Sequence, residues 1–372
     1  MEDLDLGVAY STAETIDEQG RKTGIYSSIK PFDYEMLARR NHVDTCALIR
    51  REAIETVGGW DCGLSVGNWG DWALWLRMSR IGWRFQYHSS PVYDYRIHPQ
   101  QMSRQAQAVD RPAIWSGCCH MAVVTPFSGR HWALPVIRES YRRIVWPQER
   151  LHLIAIDNGL DSEFSMKLEE MIKGTCDGWA STTIFRDGNR YIEGVSNSEA
   201  AGSKQLRIDH QEQLGRTMAR LYGHIASRLL PPIVDFVFTI EDDIEIPPAA
   251  DSLLLRAFEP DTMYVAGVVH SRMTKDAPVI AFTGTLEDPT QFSRIKEPLG
   301  SKPIAITSSG FGCTLHRSES WRKWMTPRCS VELQRWYWHD VAHLSGLARR
   351  GYLGYLAPWV QCRHYQSDGS WV

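Results

Sequence analysis

Asp235-Phe236-Val237-Phe238-Thr239-Ile240-Glu241-Asp242-Asp243 is an apolar run that ends, without a break, in three carboxylates. Aromatic and β-branched residues at successive positions predict a strand buried on both faces. The acidic triplet then falls at its carboxyl end. Upstream, Met121–Thr125 predicts another buried strand, closed by Pro126 and Gly129. Apolar residues at 134, 137, 141 and 144–145 predict an amphipathic helix over 132–145, stopped before Pro147. Leu151–Ile156 reads as a second strand ending in the turn Asp157-Asn158-Gly159. Leu214, Met218, Leu221, Ile225 and Leu229 mark a helix stopped by Pro231-Pro232. This alternation predicts an α/β fold with a mixed, mostly parallel sheet and helices on both faces. Ligands of such sheets bind beyond the carboxyl ends of the strands. Thr125, Asp157 and the triplet are therefore expected to converge on one crevice.

Three carboxylates at the end of a buried strand repel one another and lose solvation, and a divalent cation relieves both costs. All-oxygen donors suit Mg²⁺ or Mn²⁺ bound together with phosphate oxygens. The competing reading is a solvated turn capping a helix near Pro247-Pro248. Asp340 precedes a helical stretch over 341–350 and reads either as an N-cap or as a general base that takes a proton from an acceptor hydroxyl. His364, at a predicted strand end, can add a nitrogen ligand to the same ion.

The 372 residues suggest two or three domains and a core large enough to need no staple. The 41 Lys and Arg against 44 Asp and Glu leave a net charge of −3, which argues against a general polyanion binder. No apolar run approaches the ~20 residues of a membrane-spanning helix. The start, Met1-Glu2-Asp3-Leu4-Asp5, lacks a signal-peptide pattern. Eight cysteines without a CxxC pair read as reduced thiols, so a cytoplasmic location is expected. Tryptophans at 69, 72, 75 and at 321, 324, 336, 338 suit either core packing or stacking on sugar rings.

The chain also carries an internal half-repeat. Cys46-Ala-Leu48-Ile-Arg50-Arg-Glu52 and Cys313-Thr-Leu315-His-Arg317-Ser-Glu319 share the pattern C-x-L-x-R-x-E. Each is followed by a Trp-rich stretch with an Asp (Asp71, Asp340), a helical segment ending at Gly82 or Gly351, an aromatic-rich strand and a His (His98, His364). The shared order points to duplication. The first copy has no counterpart of the three upstream strands or the triplet. Residues 1–105 therefore read as half of a domain, 106–117 as a linker and 118–372 as a complete domain.

On these motifs, 118–372 resembles a GT-A nucleotide-sugar glycosyltransferase, similar to the inverting glycosyltransferase family 2. The resemblance rests on Val123-Val124-Thr125-Pro126, Ile156-Asp157-Asn158-Gly159, Ile240-Glu241-Asp242-Asp243 in the DxD position, Ser309-Gly310-Phe311-Gly312, His339-Asp340 in the place of the "ED" base motif, and His364. It implies that Thr125, Pro126 and Asp157 hold the nucleoside, with Glu241 and Asp242 near the ribose or metal waters. It implies Asp243 and His364 as ligands of Mn²⁺ or Mg²⁺, and Asp340 as the base of an inverting transfer. Gly310, Phe311, Trp338 and His339 are implied to line the acceptor site. Glu241 in place of the first Asp of DxD, and His339 in place of Glu, depart from the pattern.

Residues 41–104 resemble the carboxyl-terminal half of the same family, in Val57-Gly58-Gly59-Trp60-Asp61, Trp69-Gly70-Asp71-Trp72-Ala73-Leu74-Trp75-Leu76-Arg77 and Tyr95-Arg96-Ile97-His98-Pro99, with Gly70 where the pattern has Glu. The implied function is transfer of a hexose-like sugar from a nucleotide diphosphate sugar, a UDP-sugar being favoured, to a hydroxyl acceptor. A glycan is the favoured acceptor and a modified nucleic-acid base the lesser candidate. The rival readings are a degenerate transferase that binds a glycan or partner, and a sugar nucleotidyltransferase.

Overall fold

A computed structural model describes residues 5–60, 70–100, 111–158, 161–186, 217–259, 261–271, 279–284, 293–296, 299–325 and 339–372. The chain divides into two compact units, Met1–Cys118 and Cys119–Val372. Strands of the first unit are β1 (Leu6–Ser11), β2 (Glu14–Ile16), β3 (Lys22–Ile25), β4 (Ala47–Ile49), β5 (Arg84–His88) and β6 (Asp94–Arg96). Those of the second are β7 (His120–Phe127), β8 (Leu151–Asp157), β9 (Ser181–Arg186), β10 (Val234–Ile240), β11 (Ile244–Glu245), β12 (Thr262–Val268), β13 (Ala281–Thr283), β14 (Ser293–Arg294), β15 (Ile304–Ile306), β16 (Ser308–Ser309), β17 (Cys313–Arg317), β18 (Leu353–Gln361) and β19 (Arg363–His364). Of the expected linker 106–117, residues 106–110 lie outside the described residues, and 111–117 fall within the helix Arg111–Cys118 of the first unit.

The second unit is built on an eight-stranded mixed sheet in the order β15-β18-β12-β17-β10-β7-β8-β9. The pairs β18/β12, β10/β7, β7/β8 and β8/β9 are parallel; β15/β18, β12/β17 and β17/β10 are antiparallel. Every residue of β8 and of β12 is buried, as a sheet covered on both faces requires. On one face, Ala122, Val124, Ile154 and Ile156 pack with Leu221, Tyr222 and Ile225, and with Trp321, Leu344 and Leu347 from two later helices, Ser318–Trp324 and His339–Ala348. Elsewhere, Phe236 meets Trp146 and Phe258 edge-on, with centroids 6.0 and 5.7 Å away.

Three elements depart from the sequence expectation. Strand β7 continues through Pro126 to Phe127. Its pairing with β10 ends at Val124, so beyond that point only β8 flanks it, and an edge position accepts proline. The helix expected over 132–145 is a 3₁₀ turn (His131–Ala133) followed by Leu134–Arg142. Trp146, not Val145, is the buried anchor, and the Val145 amide leaves the helix to donate to Asp251 Oδ1 at 3.3 Å. The third is the helix around Ile225, which widens to a π-turn over Ile225–Leu229 before Pro231.

The half-repeat is visible in backbone register. In the first unit β1 lies between antiparallel β4 and parallel β5; in the second, β12 lies between antiparallel β17 and parallel β18. Leu48 of one pattern faces Ala9, and Leu315 of the other faces Val265. The β1/β5 register slips between Leu6 and Val8, and the β12/β18 register slips between Thr262 and Tyr264. The shared arginine fills the same role in each copy: Arg50 Nε donates to Leu6 O at 2.8 Å, and Arg317 Nε to Thr262 O at 3.0 Å. The helices Gly70–Arg80 and His339–Ala348 both end at glycines with positive φ, Gly82 at 96° and Gly351 at 83°, the left-handed backbone that favours glycine. Arg317 is buried, with its guanidinium over the Phe236 and Phe258 rings. Arg317→Ala is therefore expected to cost about 3 kcal/mol and the half-exposed Arg50→Ala about 1 kcal/mol, read from urea unfolding midpoints.

Candidate active site

Because β7, β8, β9 and β10 run parallel, their carboxyl ends lie along one edge of the sheet. Antiparallel β17 begins at that edge, with Cys313 opposite Ile240, and the Glu241 amide donates to Gly312 O at 3.3 Å. His364 is brought there by pairing with Ile244, and the Tyr365 amide donates to Asp243 O at 2.9 Å.

Two acids of the triplet are withdrawn from solvent, while Glu241 stays partly exposed. Asp242 and Asp243 are each 1% exposed. The next helix, Ala250–Leu255, starts beyond Ala249 with no side-chain cap. Asp242 Oδ2 accepts from the Ser128 amide at 3.2 Å. Arg130, on the same loop after β7, donates through Nη1 to Asp243 Oδ2 at 2.6 Å and through Nη2 to Asp242 Oδ1. Burial and the Asp243 charge push the Glu241 carboxyl up to about 7. Burial likewise raises Asp242, against the opposing pull of Arg130. For His364, burial acts to lower the pKa, but the interaction with Asp243 outweighs it and raises the group.

Glu241, Asp243 and His364 each offer one donor atom, all within 4.8 Å of one another. His364 Nδ1 lies 2.8 Å from His270 O, a contact in which the ring nitrogen must be the donor. The other nitrogen, Nε2, then faces Asp243 Oδ2 at 3.5 Å. That gap is long for a hydrogen bond and short enough for two donors to share one ion at ~2.1 Å each. Two carboxylates and an imidazole fit Mn²⁺, and Mg²⁺ less well because of the nitrogen.

Asp340 stands in the first turn of His339–Ala348. Its Oδ1 accepts from the amide of the next residue, Val341, at 2.7 Å, where an N-cap would accept from the second or third, and its Oδ2 accepts from the Phe311 amide at 3.3 Å. Burial pushes its carboxyl up to about 6, and its charge acts on Glu241. A Cβ on Gly310 would come within 3.5 Å of Asp340 Oδ2 and 3.3 Å of Ile280 Cγ2, so the glycine keeps this approach open.

The triplet, His364, Asp340, Gly310 and the Phe311 amide are thus brought together. The Phe311 ring is not at a surface: it packs in the core against Tyr222, His316 and Trp321. Trp321 is core as well. Thr125 and Asp157 sit on the adjacent strands of the same edge, both buried, with Pro126 partly exposed. Asp157 Oδ2 is held by Ser165 Oγ at 2.5 Å and by Arg186 Nε at 3.4 Å. The His339 side chain and all of Trp338 lie outside the described residues. Sequence reasoning missed Arg130, Ser128 and the His270 carbonyl, whose roles arise only from how the loops fold back.

No family model matches the sequence, nor does any curated protein compared with it. Among solved structures, the chain is similar to GalNAc-T7 with UDP, GalNAc and Mn²⁺ (14% identity, TM-score 0.38, covering 66% of this chain and 43% of that one). It is similar to the mannosyltransferase PcManGT from Pyrobaculum calidifontis in complex with GDP-Man and Mn²⁺ (12%, TM-score 0.38, 65% and 56%). It is also similar to A197 from STIV (10%, TM-score 0.35, 68% and 93%). The match thus spans about half the length of the first two chains. Among the described residues, no helix is long and apolar enough to cross a membrane.

Proposed function

We propose that residues 118–372 form a GT-A glycosyltransferase domain that moves a sugar from a nucleotide diphosphate sugar, by preference a UDP-sugar, to an acceptor hydroxyl with inversion. We assign residues 1–105 to a partial domain of the same family, with the helix Arg111–Cys118 closing the first unit. One observation carries the reading: a metal-competent group, Glu241, Asp243 and His364, shares the carboxyl edge of the sheet with a buried carboxylate, Asp340, whose raised pKa suits a base.

Asp243, His364 and Glu241 would hold Mn²⁺ or Mg²⁺, which when bound supplies charge neutralisation for a diphosphate leaving group. Asp242, fixed by Ser128, keeps the strand end in place. Thr125, Pro126 and Asp157 border the position assigned to the nucleoside. Asp340, ionised above about pH 6, takes the proton of the acceptor hydroxyl at a carboxylate oxygen. Gly310 leaves room for that hydroxyl, and Trp338 and His339 are assigned to the acceptor side. A glycan is the favoured acceptor.

The test is release of free nucleotide from a panel of sugar nucleotides by the full chain, with Mn²⁺ or with a chelator. Release with Mn²⁺, its loss of at least about 100-fold on chelation, and recovery on re-addition are expected. No release from any donor would leave a glycan- or partner-binding module as the reading. Pyrophosphate formation from a sugar phosphate and a nucleoside triphosphate would instead make it a nucleotidyltransferase.

A further inference from the structure

Arg130 links two different members of the acidic triplet. Nη1 meets Asp243 Oδ2 at 2.6 Å, and Nη2 meets Asp242 Oδ1. Its side chain is 26% exposed while the two acids are at most 2% exposed, so it closes the cluster from the solvent side. The guanidinium also lies over the Trp132 ring, 5.4 Å from its centroid. Asp242 has a second donor in Ser128, and Asp243 Oδ2 is faced by His364 as well.

Asp243 Oδ2 is therefore claimed from two sides, and Asp243 is also a member of the group that fits an ion. A divalent cation and a guanidinium repel at such range, and arginine cannot shed its charge. The two therefore compete for Asp243. The planar fork that grips two carboxylates also matches a phosphate in bidentate fashion.

We propose that Arg130 is an exchangeable counter-cation: it pairs with Asp242 and Asp243 in the ion-free protein, yields Asp243 to a divalent cation, and turns its freed edge to the donor's diphosphate. The last step rests on the glycosyltransferase reading; the exchange at Asp243 does not.

The exchange is tested on the full chain without nucleotide, by following the electron paramagnetic resonance signal of free Mn²⁺. Arg130→Met is expected to bind Mn²⁺ about tenfold or more tightly than the wild type, because the competitor is gone. Arg130→Lys, which keeps the charge and loses the fork, should fall between them. Ion-free Arg130→Met should melt below the wild type, with the difference closing as Mn²⁺ is added. Equal or weaker Mn²⁺ affinity in folded Arg130→Met overturns the exchange. If that variant does not fold, Arg130→Lys decides: tighter binding supports the proposal, and equal binding overturns it. With Mn²⁺ saturating, UDP is expected to bind Arg130→Met about tenfold more weakly, and unchanged UDP affinity overturns the diphosphate step. Failure of the wild type to bind UDP overturns the glycosyltransferase reading, while the Mn²⁺ comparison still decides the exchange.

Discussion

Asp243→Ala is expected to lower metal-dependent nucleotide release by about 10³-fold, or ~4 kcal/mol of barrier. The residue is the joint of the site: it meets Arg130, faces His364 and raises Glu241. Removing its carboxylate takes away one of the three donors of the metal-competent group and the like charge that presses most on Glu241. The Glu241 pKa should fall back toward the ordinary carboxylate range. Arg130 keeps Asp242, so the fold has no new unpaired buried cation. The variant should therefore melt close to the wild type without metal, and fail to gain the thermal shift that Mn²⁺ gives the wild type. Near-normal release, or an undiminished Mn²⁺ shift, would sink the metal assignment. The paired measurement separates a lost ion from a lost fold.

The parts of this site that were legible in the sequence are those whose chemistry is local. Phe236–Ile240 had to be a buried strand, and a strand that runs into Glu241-Asp242-Asp243 must present acids at its end. The half-repeat was legible to the level of a single bond, because Arg50 and Arg317 sit at the same step of the same pattern and each reaches a carbonyl of the strand beside it. Arg130 was not legible. A charged residue in a Ser-Gly-Arg loop is normally solvated, and only the return of that loop over β10 turns it inward. Phe311 is divided in a related way: its amide meets Asp340 while its ring packs in the core, and residue type alone does not separate the two. His364 was legible as a nitrogen ligand at a strand end, but the β19/β11 ladder that carries it to the triplet is two residues long, too short to leave a pattern.

Asp340→Asn is expected to lower turnover by about 10²–10⁴-fold and, at the same time, to flatten the dependence of stability on pH between 4 and 8. The folded carboxyl titrates at about 6 against an ordinary value of 3.8, with burial as the cause. A pKa raised by folding means that the folded chain binds the proton more tightly. The stability this confers is whole below about pH 3.8 and is lost as pH rises through about 6. By pH 8 the wild type has given up about 3 kcal/mol at this one residue. Asparagine keeps one carbonyl acceptor but sets an NH2 against one of the two amides that Asp340 accepts from, so the variant should be the less stable of the two at pH 4. That gap should shift by about 3 kcal/mol in the variant's favour between pH 4 and 7, in urea unfolding at each pH. Activity moves the opposite way: the wild-type rate should climb as pH rises through about 6, where the base ionises, and that limb should vanish in the variant. An Asp340 that served only to start the helix would show the stability gap with turnover and its pH limb intact, and that combination would remove it from the chemistry.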